Sequence, residues 1–311
     1  MARLIVVLAA AFTLLSCGGG DDKKAADAAK APTARADPAA TKLAEQAAGP
    51  NAHARSGVID GSVEITLRGA RGFSEPFSAT VSGPFSYRKG SALPDYELDI
   101  GVRNYGVELS SVRGRSYVTI GTTGYALPGD VRDRLVRSSS RGANGLTRTL
   151  EQFGIAPLRW EKDRRLAGIE QLDGVAVRKI TTGFTAGRIL RDANTLLGLL
   201  ASLKITRAVG LPSQIPARAR RVIVRGVQTK RGASWIGVKD KAVRRSGFTM
   251  TFAIPKADRR EVDGISAGKV VGLLNVTEVG RPQQIHAPES LGSFGDFQLA
   301  IDALGDAQDG G

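Results

Sequence analysis

The 311-residue chain carries one cysteine, two histidines, two tryptophans and two methionines, and only 5% of it is aromatic. A lone thiol excludes an internal disulfide framework and any multi-thiolate metal centre. His53 and His286, far apart in sequence, leave little for acid–base or metal chemistry and are expected to be exposed or packed rather than catalytic. Scarce aromatics make a base-stacking platform a poor fit, so nucleic acid is not an expected partner despite a net charge of +14. No phosphate-cradling G-x-x-x-x-G-K-[ST] and no helix-opening G-x-G-x-x-G occurs. GISAG at 264–268 does spell G-x-S-x-G around Ser266, but a nucleophile elbow needs a strand before it and a helix after it. Here charged DRREVD precedes and strand-like KVVGLLNV follows, which reads as a hairpin turn. The expectation is a protein that is not an enzyme and needs no metal or cofactor.

What the chain does have begins at its first residues. After Arg3, Leu4 to Leu15 (LIVVLAAAFTLL) form an apolar run with the length of a signal-peptide core, too short to span a bilayer. It ends in Leu14-Leu15-Ser16-Cys17, which resembles the processing site of bacterial lipoproteins, with Leu at −3, small Ser16 at −1 and the only thiol at +1. The reading is a signal peptide over 1–16 and a lipid anchor on Cys17. One acyl chain binds a membrane marginally, and two or three hold durably at ~0.8 kcal/mol per buried methylene. Residues 17–38 are Gly-, Ala-, Asp-, Lys- and Pro-rich and read as a flexible linker with a mean reach of about 25 Å. The body is thus expected outside the cytoplasm, tethered to a cell membrane. Its basic excess favours anionic lipid head groups or phosphorylated glycans.

Residues 39–304 read as one α+β domain. Ala39–Ala48 suits a short helix. From Ser56 apolar residues alternate, with Val63, Ile65 and Leu67 on one face, then Tyr96, Leu98 and Ile100; Arg113-Gly114 supplies a hairpin turn. Short helices are expected in DVRDRLVRS and NGLTRTLEQF. LDGVAVRKITTGF reads as a strand with an Asp173-Gly174 turn, followed by a helix that Thr185 caps. In that helix Ile189, Leu190, Ala193, Leu196, Leu197, Leu200 and Leu203 make a broad apolar stripe. The last third returns to strands: RRVIVRGV, ASWIGVKD, SGFTMTFAI and GKVVGLLNVTEV. In SGFTMTFAI, Phe248, Met250 and Phe252 share a face. Residues 305–311 are expected to be a disordered tail.

Four stretches in order resemble the LppX/LprG family of actinobacterial lipoproteins, which is similar in fold to LolA and LolB. They are VRGRSYVTIG (112–121), with Gly114 and Tyr117; LDGVAVRKITTGFTAGRIL (172–190); SWIGVKDKAVRRSGFTMTFAI (234–254); and VGRPQQIHAPES (279–290), with Pro282, Ile285, Ala287 and Pro288. The basic segment 205–232 departs from the family pattern. The resemblance implies an antiparallel half-barrel sheet wrapped over helices around an acyl-chain cavity, in a monomeric carrier of lipids or lipoglycans that works with an envelope transporter. Candidate cavity residues are Val63, Ile65, Leu67, Leu98, Ile100, Tyr117, Ile189, Leu190, Ala193, Leu196, Leu197, Leu200, Phe248, Met250 and Phe252. Arg221, Arg225, Lys230 and Arg231 are candidates for head-group binding. Two other readings stay open: a structural or sensory surface lipoprotein that binds a protein or the cell wall, and a hydrolase using Ser266 or His286.

Overall fold

The computed structural model describes residues 36–49, 54–69, 76–102, 105–138, 145–208 and 211–309. Cys17, the signal peptide, His53 and nearly all of the linker lie outside them.

Two antiparallel meanders make the sheet. The first runs β1 (Ser56–Arg68), β2 (Phe77–Ser86), β3 (Asp95–Val102), β4 (Tyr105–Val112), β5 (Arg115–Ile120) and β6 (Thr123–Ala126). The second runs β7 (Glu161–Leu172), β8 (Val175–Phe184), β9 (Val227–Gly237), β10 (Val243–Ala253) and β11 (Ala267–Thr277). Pairing of β1 with β11 fuses them, and β12 (Ser290–Gly292) adds in parallel to β6, giving one open 12-stranded sheet. The hairpin turns Arg113-Gly114 and Asp173-Gly174 have positive φ at both residues, matching the twist of the flanking strands.

Period-two alternation sends Ile59, Val63 and Ile65 to the core, where each is at most 1% exposed, while Asp60 and Glu64 face solvent. The register extends this inner face across the first meander through Leu98, Leu109, Val118 and Tyr125. The helices are α1 (Pro38–Ala48), α2 (Gly129–Ser138), α3 (Gly145–Gln152), α4 (Pro157–Trp160), α5 (Ala186–Ser202), α6 (Ile205–Ala208), α7 (Ala217–Gly226) and α8 (Phe294–Asp309). A 3₁₀ segment spans Lys256–Val262. Buried side chains of sheet and helices join in one cluster. Among the described residues no helix is long and apolar enough to cross a membrane.

Asp37 opens α1. Its carboxylate accepts from the amides of Ala39 (2.8 Å) and Ala40 (3.4 Å), capping α1, and its own amide donates to the Arg164 carbonyl on β7. Pro38 follows at the first helical position, where its missing N–H costs nothing.

Three elements differ from expectation. RRVIVRGV is not a strand: residues 217–226 form α7, and β9 begins at Val227. Val222, Ile223 and Val224 have β-branched side chains, yet Ala219, Val222 and Ile223 bury at helical spacing, so packing overrides propensity. β7 has no alternation because it is an edge strand, charged and mostly exposed, with register shifts that blunt the edge. The closing helix α8 runs to Asp309, past the point where the tail was expected to begin.

Candidate functional site

The α5 stripe is buried in the same apolar cluster as the inner face of the sheet. Ile189, Leu190, Ala193, Leu196, Leu197 and Leu200 are each at most 4% exposed. On the strands, Val63, Ile65, Leu98, Phe248, Met250 and Phe252 are equally buried in the same cluster, and Leu67 and Ile100 are half-buried against it. Phe248 meets Phe184 and Trp160 edge-on, at centroid distances of 5.6 and 6.2 Å. Gly232 and Gly268 make room for these rings, since a methyl group on either would overlap Phe184 or Phe252. Leu190 borders a surface groove and Ile100 a polar depression; the other side chains are packed in the core. Tyr117 belongs to the other face altogether. It pairs with Ser110, which pairs with Glu97, so Val118 takes the inner position beside Leu109.

Open apolar volume lies one layer over, beneath α3 and α4. A pocket of about 170 Å³ there is walled by Leu146, Leu150, Ala156, Pro157, Val243 and Leu274. None of the candidate cavity residues lines it. Its polar end is built by the sheet, where Ser234 and Ser246 face the pocket with their hydroxyls 3.2 Å apart. The Ser234 hydroxyl also donates to Glu161 Oε1 at 2.9 Å, and Arg164 Nε donates to Glu161 Oε2 at 2.7 Å. Glu161 is 8% exposed. Burial pushes its carboxyl pKa up, opposed by the Arg164 and Ser234 bonds. The α4 wall is held by Asp192 on α5, whose Oδ2 accepts from Trp160 Nε1 at 2.6 Å and from the Ala156 amide at 3.0 Å.

A second opening of about 810 Å³ is a surface groove between the start of α5, α7 and the 3₁₀ segment. Arg221 and Arg225 line it together with Arg191, Arg218 and Arg220; Lys230 and Arg231 do not, and sit exposed on β9. The candidate head-group residues therefore do not ring one mouth. On the outer face of the first meander, Asp99 and Glu108 line a polar depression of about 320 Å³. Burial, with Glu97 and Asp99 nearby, raises the Glu108 pKa.

Ser266 leads into strand β11, not a helix, and its hydroxyl donates to the Arg68 carbonyl at 3.1 Å. His286 is exposed, with Nδ1 3.9 Å from Glu97. Thr185 precedes α5 as expected, but its side chain makes no capping bond. Among the described residues no three His, Cys, Asp or Glu side chains cluster as metal ligands. The pocket residues were passed over in the sequence because Leu146 and Leu150 belong to a helix of eight residues, and Glu161 lies in a charged edge strand. The only signal was SWIGVKD, where Ser234 takes an inward position next to Trp235.

No protein-family model matches the chain, and no curated protein matches it. Solved structures similar to it include LprF from Mycobacterium bovis, 13% identical, covering 82% of this chain and 99% of that one with a TM-score of 0.38. Lipoprotein LppX from Mycobacterium tuberculosis is also similar, at 13% identity, covering 81% of this chain and all of that one with a TM-score of 0.37.

Proposed function

We propose that this protein is a membrane-tethered lipoprotein that takes a stretch of lipid acyl chain into the pocket under α3 and α4, with the polar end of the lipid at Ser234 and Ser246. The pocket's combination of apolar walls with two hydroxyls at one end carries this reading. Hydrocarbon gains about 25 cal/mol for each Å² removed from water, and a ligand hydroxyl or ester finds a partner at the serines. At about 170 Å³ the pocket is smaller than an ordinary ligand site, so a whole lipid requires α3 and α4 to move outward. Tethering through Cys17 would keep the pocket within the linker's reach of a bilayer. Carriage of the lipid across the envelope, and a partner transporter, belong to this proposal.

The test uses the chain from residue 17 onward with Cys17→Ala, so that neither the signal peptide nor an acyl anchor is attached. Native mass spectrometry should find co-purifying lipid, and a fluorescent C16 fatty acid should bind. Ala156→Phe, which fills the pocket, should weaken that binding at least tenfold. Absence of lipid, or binding unaffected by Ala156→Phe, rejects the reading. The filled space behind α5 favours a second reading, a scaffold lipoprotein that docks a protein or cell-wall partner; it predicts no acyl binding at all.

A further inference from the structure

The groove beside α7 is separate from the acyl pocket: no residue lines both. Its wall is a ten-residue helix, ARARRVIVRG, with Ala219, Val222 and Ile223 buried and arginines at 218, 220, 221 and 225. Arg218 pairs with Glu261 at 2.8 Å and Arg225 with Asp258 at 3.3 Å, which pins α7 to the 3₁₀ segment. These two carboxylates are thereby committed. Arg191, Arg220 and Arg221 have no ion pair or side-chain hydrogen bond among the described residues, and all three line the groove. Val224, 39% exposed, stands on the same wall next to them.

Three guanidiniums outside any ion pair among the described residues, with Val224 beside them, suit a surface that is anionic and has an apolar layer beneath. We propose that the α7 groove docks on the phosphates of an anionic bilayer, with Arg191, Arg220 and Arg221 taking lipid phosphate oxygens and Val224 reaching the acyl boundary. The apolar side of α7 is committed to the protein core, so the contact rests on its outward arginines and on Val224. Guanidinium forks match phosphate geometry, and each basic residue near an anionic leaflet strengthens attachment several-fold. The contact would hold the body against the membrane at a second point besides the Cys17 anchor and fix its orientation. It goes beyond acyl binding, and its failure would leave the Ala156→Phe test untouched.

The chain from residue 17 onward, with Cys17→Ala, would be mixed with vesicles of phosphatidylglycerol and phosphatidylcholine and sedimented. Binding is expected at low salt, and is expected to be weak on phosphatidylcholine alone. Arg191→Gln/Arg220→Gln/Arg221→Gln should reduce it by about a hundredfold. Lys89→Gln/Lys239→Gln/Lys269→Gln removes the same charge from exposed positions off the groove and should change it only a few-fold. Equal losses in the two triple variants would show a net-charge effect and overturn the proposal. So would an unchanged groove variant, or equal binding to neutral vesicles. Circular dichroism of both variants keeps a folding defect from passing as a binding defect.

Discussion

Leu197→Ala separates a packed core from a cavity wall. Leu197 is fully buried in α5, with Leu196, Leu200 and Ala193 buried around it. If α5 rests on the sheet, truncation removes three buried carbons and leaves a void that the neighbours fill only in part. Substitutions of that kind cost roughly 3–5 kcal/mol, against a typical total of about 5–15 kcal/mol. The melting temperature should therefore fall by roughly 6–20 °C for a body of this size. Urea unfolding of the Cys17→Ala chain gives the number directly, through a midpoint shift with an unchanged slope. Leu299→Ala serves as the control, because Leu299 is 70% exposed on α8 and should cost under ~0.5 kcal/mol. A loss below about 1 kcal/mol at Leu197 would refute the reasoning. It would mean that α5 stands off the sheet in solution and that the stripe borders open volume after all.

Two further outcomes follow from the polar groups around the pocket. Glu161 binds its proton more tightly folded than unfolded because burial raises its pKa. Its contribution to stability is full below the ordinary carboxylate range of about 4.5 and declines as pH rises through the folded value. Glu161→Gln should remove that decline, and urea midpoints measured between about pH 4 and pH 8 should lose part of their slope; an unchanged slope would place the pH dependence elsewhere. Asp192→Ala strips the Trp160 indole N–H and the Ala156 amide of their acceptor. It should cost about 1–3 kcal/mol and shift tryptophan emission as α4 loosens, and a silent variant would show that α4 is held by packing alone.

β1 and β2 could be read directly because each has one buried face and one face in water. Val63 and Ile65 alternate with Glu64 and Thr66, and the turns at Gly114 and Gly174 are written in residues that accept positive φ. β7 could not be read this way, since an edge strand with both faces wet leaves no apolar alternation. α7 was misread because β-branched residues were buried by a helical surface, and spacing decides that only once the partner surface exists. Tyr117 was misplaced by one residue, and in a sheet one residue is a change of face.

Composition, the single Cys17 behind its apolar run, the two sets of alternating strands and the α5 stripe are properties of the sequence alone. They bound the class of protein, because local periodicity depends only on neighbouring residues. Whether α5 touches the sheet, where apolar space remains, and which arginines keep their charge unpaired were decided by the tertiary structure. Those facts depend on distances between segments far apart in the chain, such as Glu151 and Leu274 in the pocket wall or Arg191 and Glu261 in the groove. No pattern along the chain encodes such a distance until β1 has paired with β11 and the helices have settled on one face.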